Sequence, residues 1–229
     1  MVFDPSFADA RPTSTYDWFF AMPELESFTG MSNLNTSEVT NMDFMFCSSI
    51  KLTNLDLSSF NTAKVTDMRY MFQNCHSLIS IDLSSFNTSQ VIGMYYMFGG
   101  SNNLRTIYVG NGWSTAAVAY STNMFNGCTS LVGGQGTTYN ASNPMDKTYA
   151  HIDGGPSNPG YFTDKNASLR GDVDGDGEVA ISDVSALIDY LLTGDASSIN
   201  LSAADCDIDG EVAISDVSRL IDYLLSGAW

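Results

Sequence analysis

Leu52-Thr53-Asn54-Leu55-Asp56-Leu57-Ser58-Ser59-Phe60-Asn61-Thr62, followed by Val65-Thr66-Asp67-Met68-Arg69-Tyr70-Met71-Phe72, is the stretch whose reading decides the fold. Leu55 and Leu57 alternate about Asp56, which suits a strand with one buried face. Val65, Met68, Met71 and Phe72 fall at i, i+3, i+6 and i+7, the apolar face of a short helix. The same pattern returns along the chain. Met-Phe recurs at Met45-Phe46, Met71-Phe72, Met97-Phe98 and Met124-Phe125, at spacings of 26, 26 and 27, and Leu52, Leu78, Leu104 and Leu131 keep step with it. Ile81-Asp82-Leu83 and Ile107-Tyr108-Val109 repeat the strand, and Phe86-Asn87-Thr88 and Trp113-Ser114-Thr115 stand where Phe60-Asn61-Thr62 does. A strand and a helix in about 26 residues cannot bury their own apolar faces, whereas stacked copies share one core. The expectation is a right-handed α/β solenoid with a parallel sheet, its Met and aromatic stripe filling the core.

Polar residues keep the period as well. Asn35, Asn61 and Asn87, with Thr36, Thr62, Thr88 and Thr115, stand where each unit leaves backbone groups to be satisfied, and they read as bonds between units. Cys75 and Cys128 share one position with Ser101 between them. Two strand spacings, about 9–10 Å, separate them, which is too far for a disulfide. With Cys47 they read as small core thiols.

Leu-x-x-Leu-Asp-Leu-Ser-Ser-Phe-Asn-Thr followed by Met-x-x-Met-Phe-x-x-Cys resembles the 26-residue repeat of bacterial surface proteins, a BspA-like relative of leucine-rich repeats. The resemblance covers about residues 22–163, and Gly154–Phe162 is similar to the closing segment of such arrays. It implies an α/β leucine-rich-repeat-like solenoid that acts as an extracellular binding or adhesion scaffold of bacteria, with a protein or glycan ligand and no assigned chemistry. Leu25, Phe28, Met31 and Leu34, spaced by threes, mark a degenerate or capping unit, and residues 1–21 a lead-in or the end of a preceding repeat.

The last third reads differently. Asp172, Asp174, Asp176, Gly177 and Asp183 occupy positions 1, 3, 5, 6 and 12 of a twelve-residue loop, and Asp205, Asp207, Asp209, Gly210 and Asp216 repeat them 33 residues later. Carboxylates on alternate residues, a glycine for the sharp turn and a carboxylate at the twelfth place supply oxygen ligands to a hard cation. Glu178 and Glu211, at position 7, contribute backbone carbonyls, and Ala180 and Ala213 leave room for water. Two Ca2+ ions are expected. After each loop, Ser182 or Ser215 is placed to cap a helix. Val184, Leu187, Ile188, Leu191 and Leu192 form a stripe matched by Val217, Leu220, Ile221, Leu224 and Leu225, and Gly194 and Gly227 stop the two helices.

This duplication of half EF-hands resembles the type I dockerin, over roughly residues 170–227. From Glu178 to Leu192 and from Glu211 to Leu225, 14 of 15 positions are identical, Ala186 against Arg219 being the exception. In that family such symmetry implies two alternative faces for one cohesin partner. Carried onto this chain, the recognition positions are Ile181, Ser182, Ile188 and Asp189, then Ile214, Ser215, Ile221 and Asp222. Many members carry a basic residue where Asp189 and Asp222 stand, and for Ile188 and Ile221 packing within the two-helix core is the competing assignment. The domains expected are a 22–163 solenoid, a 164–169 linker and a small all-α calcium-binding module at 170–229.

Charge narrows the function. Twenty-six Asp and Glu against nine Lys and Arg give a net charge of −17, which disfavours nucleic acid and anionic membranes as partners. From Asp164 onward, 14 acidic residues face three basic ones, which places a boundary there. No 18-residue apolar run predicts a membrane span, and Met1-Val2-Phe3-Asp4-Pro5 opens without an export signal, as the middle of a longer secreted or cell-surface bacterial protein would. Only His76 and His151 supply imidazoles, and Asp56 and Asp82 read as neighbours in a ladder. The expectation is a non-enzyme that binds through its first part and docks through its second onto a cohesin-type protein or cell-surface scaffold. The alternatives are a calcium module serving as an internal clamp or self-association device and, behind it, a fragment of a dockerin-bearing polysaccharide-degrading enzyme.

Overall fold

The structure is a computed structural model in which residues 1–165, 170–176 and 178–227 are described. The chain divides into two compact units, Met1–Lys165 and Asn166–Trp229. In the first, the Met-Phe positions are buried to the last member, as are Leu52, Leu78, Leu104 and Leu131. Phe46, Phe72, Phe98 and Phe125 stack in file, with centroids 5.7, 5.8 and 5.9 Å apart and planes within 10° of parallel. Thr36, Thr62 and Thr88 are buried. Each hydroxyl donates to the carbonyl of Asn61, Asn87 or Ser114 and accepts from the amide of that same residue, at 2.6–3.1 Å.

The α/β leucine-rich-repeat-like solenoid expected over 22–163 is not what this unit forms. Its described residues contain no α-helix, and regular strand is confined to β1 (Ser80–Leu83), β2 (Thr106–Val109) and β3 (Phe162–Asp164), one parallel sheet in the order β1-β2-β3. Ile81 pairs with Ile107, and Ile107 with Phe162. Leu55 and Leu57 are buried but lie in no strand. The helix expected over Val65–Phe72 fails because Tyr70 and Asn74 have φ of 58° and 55°, left-handed values that end a helical turn. Phe44 and Ser48 and then Tyr96 do the same one unit away. Instead of bonding four residues back, alternate amides reach sideways: Met68, Tyr70, Phe72 and Asn74 donate to the carbonyls of Gly93, Tyr95, Met97 and Gly99 at 2.8–2.9 Å. Between them the amides of Met71 and Gln73 close tight turns on Met68 and Tyr70. Apolar spacing by threes is common to a helix and to such a chain of turns.

One buried carboxylate organises the end of this unit. Asp153 Oδ2 accepts from the amides of Gln135 and Thr137, both at 2.9 Å, and Oδ1 from Thr137 Oγ1 at 2.7 Å and the amides of Gly155 and Gly160 at 3.0 and 3.3 Å. Trp113 Nε1 donates to the Ala150 carbonyl nearby.

The second unit is partly helical, not all-α. It comprises α1 (Ile181–Thr193), α2 (Leu201–Ala204) and α3 (Ile214–Ser226), with α1 and α3 packed through Val184, Leu187, Val217 and Leu220. Gly194 and Gly227 stop α1 and α3 in the left-handed conformation, φ 73° and 71°. Ser182 and Ser215 do not cap: the N-cap positions are Ala180 and Ala213, because the carboxylates of Asp183 and Asp216 already hold those residues' amides, both at 2.7 Å. Of the linker expected at 164–169, Asp164 ends β3, and residues 166–169 lie outside the described residues. Cys47, Cys75, Cys128 and Cys206 are all free and buried. Burial pushes the thiols of Cys75 and Cys128 up to about 12 and that of Cys206 up to about 11.

Candidate metal centre and docking faces

Each loop folds its first carboxylates together. Carboxylate oxygens of Asp172, Asp174 and Asp176 lie within 4.8 Å of one another, as do those of Asp205, Asp207 and Asp209. The backbone turns about them. In the second loop the amide of Asp209 donates to Asp205 Oδ1 and Asp207 Oδ1 at 3.1 and 3.2 Å, and that of Gly210, at φ 92°, to Asp205 Oδ2 at 3.0 Å. In the first, the amides of Asp176 and Glu178 donate to Asp174 Oδ1 and Asp176 Oδ1. Gly177, the expected turn residue there, lies outside the described residues.

Asp183 and Asp216 are not members of these carboxylate clusters. Asp183 is buried at the start of α1, where Oδ1 accepts from Val173 and Asp174 at 2.7 and 3.0 Å. Asp216 likewise accepts from Asp207 at 3.0 Å. These carboxylates tie the loop backbone to the helix. Glu178 and Glu211 are exposed. The donor set is all oxygen, with three clustered carboxylates per loop, which fits a hard divalent cation and disfavours a soft one. Arg170 adds a tie between the loops: its guanidinium donates twice to the Cys206 carbonyl.

All eight expected docking residues are exposed, Ile188 and Ile221 among them. Exposure of Ile181, Ile188 and Leu192 is 72, 38 and 79 %, and of Ile214, Ile221 and Leu225 it is 71, 39 and 83 %. The expected five-residue stripes are therefore too wide: Val184 and Leu187 face the core, while Leu192 and Leu225 join the exposed faces. Their i+11 spacing from Ile181 and Ile214 was the available signal.

In the first unit the structure assembles charges the sequence did not single out. Arg69 Nε donates to Asp67 Oδ1 at 2.8 Å, and its Nη2 lies 2.6 Å from Asp67 Oδ2 and 3.3 Å from Asp43 Oδ2. Asp43 is buried. Burial above all, then the carboxylate of Asp67, pushes it up to about 6 against the pull of Arg69. His76 Nδ1 pairs with Asn102 Oδ1 at 3.0 Å. Asp56 is held by Ser58, and Asp82 by Ser84 and, at 3.2 Å, by Lys165.

A family model described as "Mycoplasma protein of unknown function, DUF285" matches residues 13–148, and the model of the type I dockerin domain matches residues 170–225. No curated protein and no solved structure matches the chain. Type I dockerin domains bind calcium and dock onto cohesin-type partners, and the proteins that bear them are typically extracellular or on the cell surface. Neither match shows a leucine-rich repeat. Among the described residues, no helix is long and apolar enough to cross a membrane.

Proposed function

We propose, from the premise that the chain belongs to the family described as Mycoplasma protein of unknown function, DUF285, that it is a non-catalytic extracellular attachment protein, whose first unit presents a binding surface and whose dockerin docks it onto a cohesin-type partner. The observation that carries the docking reading is the matched pair of exposed apolar faces, Ile181–Ile188–Leu192 and Ile214–Ile221–Leu225.

Two calcium ions are assigned, one to each aspartate cluster. Bound calcium supplies the positive charge that lets three carboxylates stand together. Asp172, Asp174 and Asp176 hold one ion, with the Glu178 carbonyl; Asp205, Asp207 and Asp209 hold the other, with that of Glu211. Asp183 and Asp216 anchor the loop amides to the first turns of α1 and α3, so that ordering a loop also orders the helix that carries the docking face. Ser182, Asp189, Ser215 and Asp222 border the apolar faces and set the polar rim.

The test is capture of the full chain by a panel of type I cohesins, in calcium and in chelator. With two equivalent faces, Ile181→Asp alone costs only the statistical factor of two, about 0.4 kcal/mol. Adding Ile214→Asp buries an unpaired carboxylate in either orientation and costs several kcal/mol, on the order of a hundredfold or more. No calcium-dependent capture by any cohesin, with concentration-dependent dimers in its place, would transfer the faces to self-association.

A further inference from the structure

Isolated parallel bridges join Asn41 to Asp67, Asp67 to Gly93 and Gly93 to Tyr120, so these four residues stand side by side at about one strand spacing, ~4.8 Å. Gly93 leaves a gap in the row. A Cβ there would lie 3.0 Å from Asp67 Oδ1 and 3.1 and 3.2 Å from Cγ and Cδ of Arg69. The Arg69 stem therefore passes over the gap, and its head is clamped by Asp67 and Asp43. What remains is a recess of about 260 Å³ walled by Thr66, Asp67, Arg69, Ile92, Gly93 and Tyr120.

Its chemistry is specific in three respects. Tyr120 is 64 % exposed and Ile92 is exposed beside it, so apolar surface faces water with no cover. Next to them a carboxylate and a guanidinium lie edge to edge, with the two donors of Arg69 Nη1 unused among the described residues. Behind the guanidinium, outside the walls of the recess, buried Asp43 fixes the head of Arg69. Two carboxylates against one guanidinium leave no net positive charge, and with a chain at −17 an anionic ligand is repelled. A neutral ring bearing adjacent hydroxyls meets all of these conditions. Hydroxyls both donate and accept, so one can give its proton to Asp67 while its neighbour receives one from Arg69, and the C–H face of the ring covers the aromatic.

The geometry points to a carbohydrate subsite in this recess, taking one neutral pyranose unit of a glycan with vicinal hydroxyls at Asp67 and Arg69 and its apolar face on Tyr120. This rests on the proposed reading of the first unit as a body that presents a binding surface. The test is affinity electrophoresis of the full chain through gels containing mixed-linkage β-glucan, xylan or mannan. At least one polysaccharide should retard the parent. Tyr120→Ala should weaken that retardation at least tenfold, while Tyr120→Phe stays within twofold. No retardation by any of the three, or parent-like retardation of Tyr120→Ala, would overturn the subsite. Cohesin capture is read separately and is unaffected by Tyr120→Ala, so its failure strikes the docking reading alone. Reducing ends released from a retarding polysaccharide would leave the subsite standing and refute the non-catalytic reading.

Discussion

Asp153→Asn is expected to destabilise the first unit by about 2–6 kcal/mol. The carboxylate is only 4 % exposed and takes five hydrogen bonds, two on Oδ2 and three on Oδ1. An amide keeps one oxygen. Placed at Oδ2 it leaves the amides of Gly155 and Gly160 facing an NH2 group; placed at Oδ1 it does the same to Gln135 and Thr137. Either way two backbone donors are orphaned, at about 1–3 kcal/mol each. Urea unfolding followed by tryptophan fluorescence reads this directly, because Trp113 bonds to Ala150 in the same region. Acid adds a second reading. Burial pushes Asp153 up, but its bonds to Thr137, Gly155 and Gly160 outweigh this and hold it below the ordinary carboxylate value. A lowered folded pKa means stability that is complete above the unfolded value, about 3.9, and that drains away as pH falls through the folded one. The parent should lose stability on that limb, and Asp153→Asn should lack this share of the loss. Asp56→Asn is the control for the loss in urea and not for the acid limb, since Asp56 is exposed but its bonds to Ser58 hold its carboxylate low as well. A loss under about 1 kcal/mol, or superimposable acid limbs, would refute the reasoning.

Asp43 should behave in the opposite sense. Its folded value of about 6 stands above the unfolded one, so the folded chain holds the extra proton and stability falls as pH rises from about 4 to 6; Asp43→Asn should flatten that fall and add about 1–3 kcal/mol at pH 7.5 in urea titrations. Thr62→Val removes both bonds to Asn87 and should cost about 2–4 kcal/mol in the same assay, against little for the exposed Thr53→Val. Calcium at about a hundred times its dissociation constant should stabilise the second unit by about 2.7 kcal/mol per site, followed by far-UV circular dichroism during thermal unfolding, while the fluorescence of a Trp229→Phe chain, which then comes from Trp18 and Trp113 of the first unit, should be unmoved by chelator.

Legibility in the sequence followed how local the governing interaction was. The Met, Phe and Leu files and the Thr ties could be read because each needs only a residue type at a constant period, whereas the side chains of Asn35, Asn61 and Asn87 bond within their own units, accepting from the amides of Ser37, Ala63 and Ser89. The aspartate clusters could be read for the same reason, one loop at a time. Val65–Phe72 misled because Tyr70 and Asn74 adopt left-handed φ, a conformation that a bulky or β-carbon-bearing residue seldom takes and that spacing does not reveal. The amides there are satisfied by residues some 25 positions away, so the local pattern under-determines the backbone. Ser182 and Ser215 misled because Asp183 and Asp216 reach the N-cap amides first. The Asp43–Arg69–Asp67 group passed unseen because Asp43 and Arg69 share one place in successive units yet carry opposite charges, so no residue type recurs there to mark it, and only the lateral register pairs them.

The buried thiols have a use beyond packing. A sulfur that is both unexposed and held in its protonated form reacts with neither oxidant nor alkylating agent until its surroundings open. Maturation outside a cell would thus require no pairing enzyme and would run little risk of cross-linking between chains. Cys75 and Cys128 belong to the first unit and Cys206 to the second, so the wild-type chain carries its own chemical clocks. A brief pulse of iodoacetamide, followed by peptide mass spectrometry, dates the opening of each unit separately, without a single engineered label.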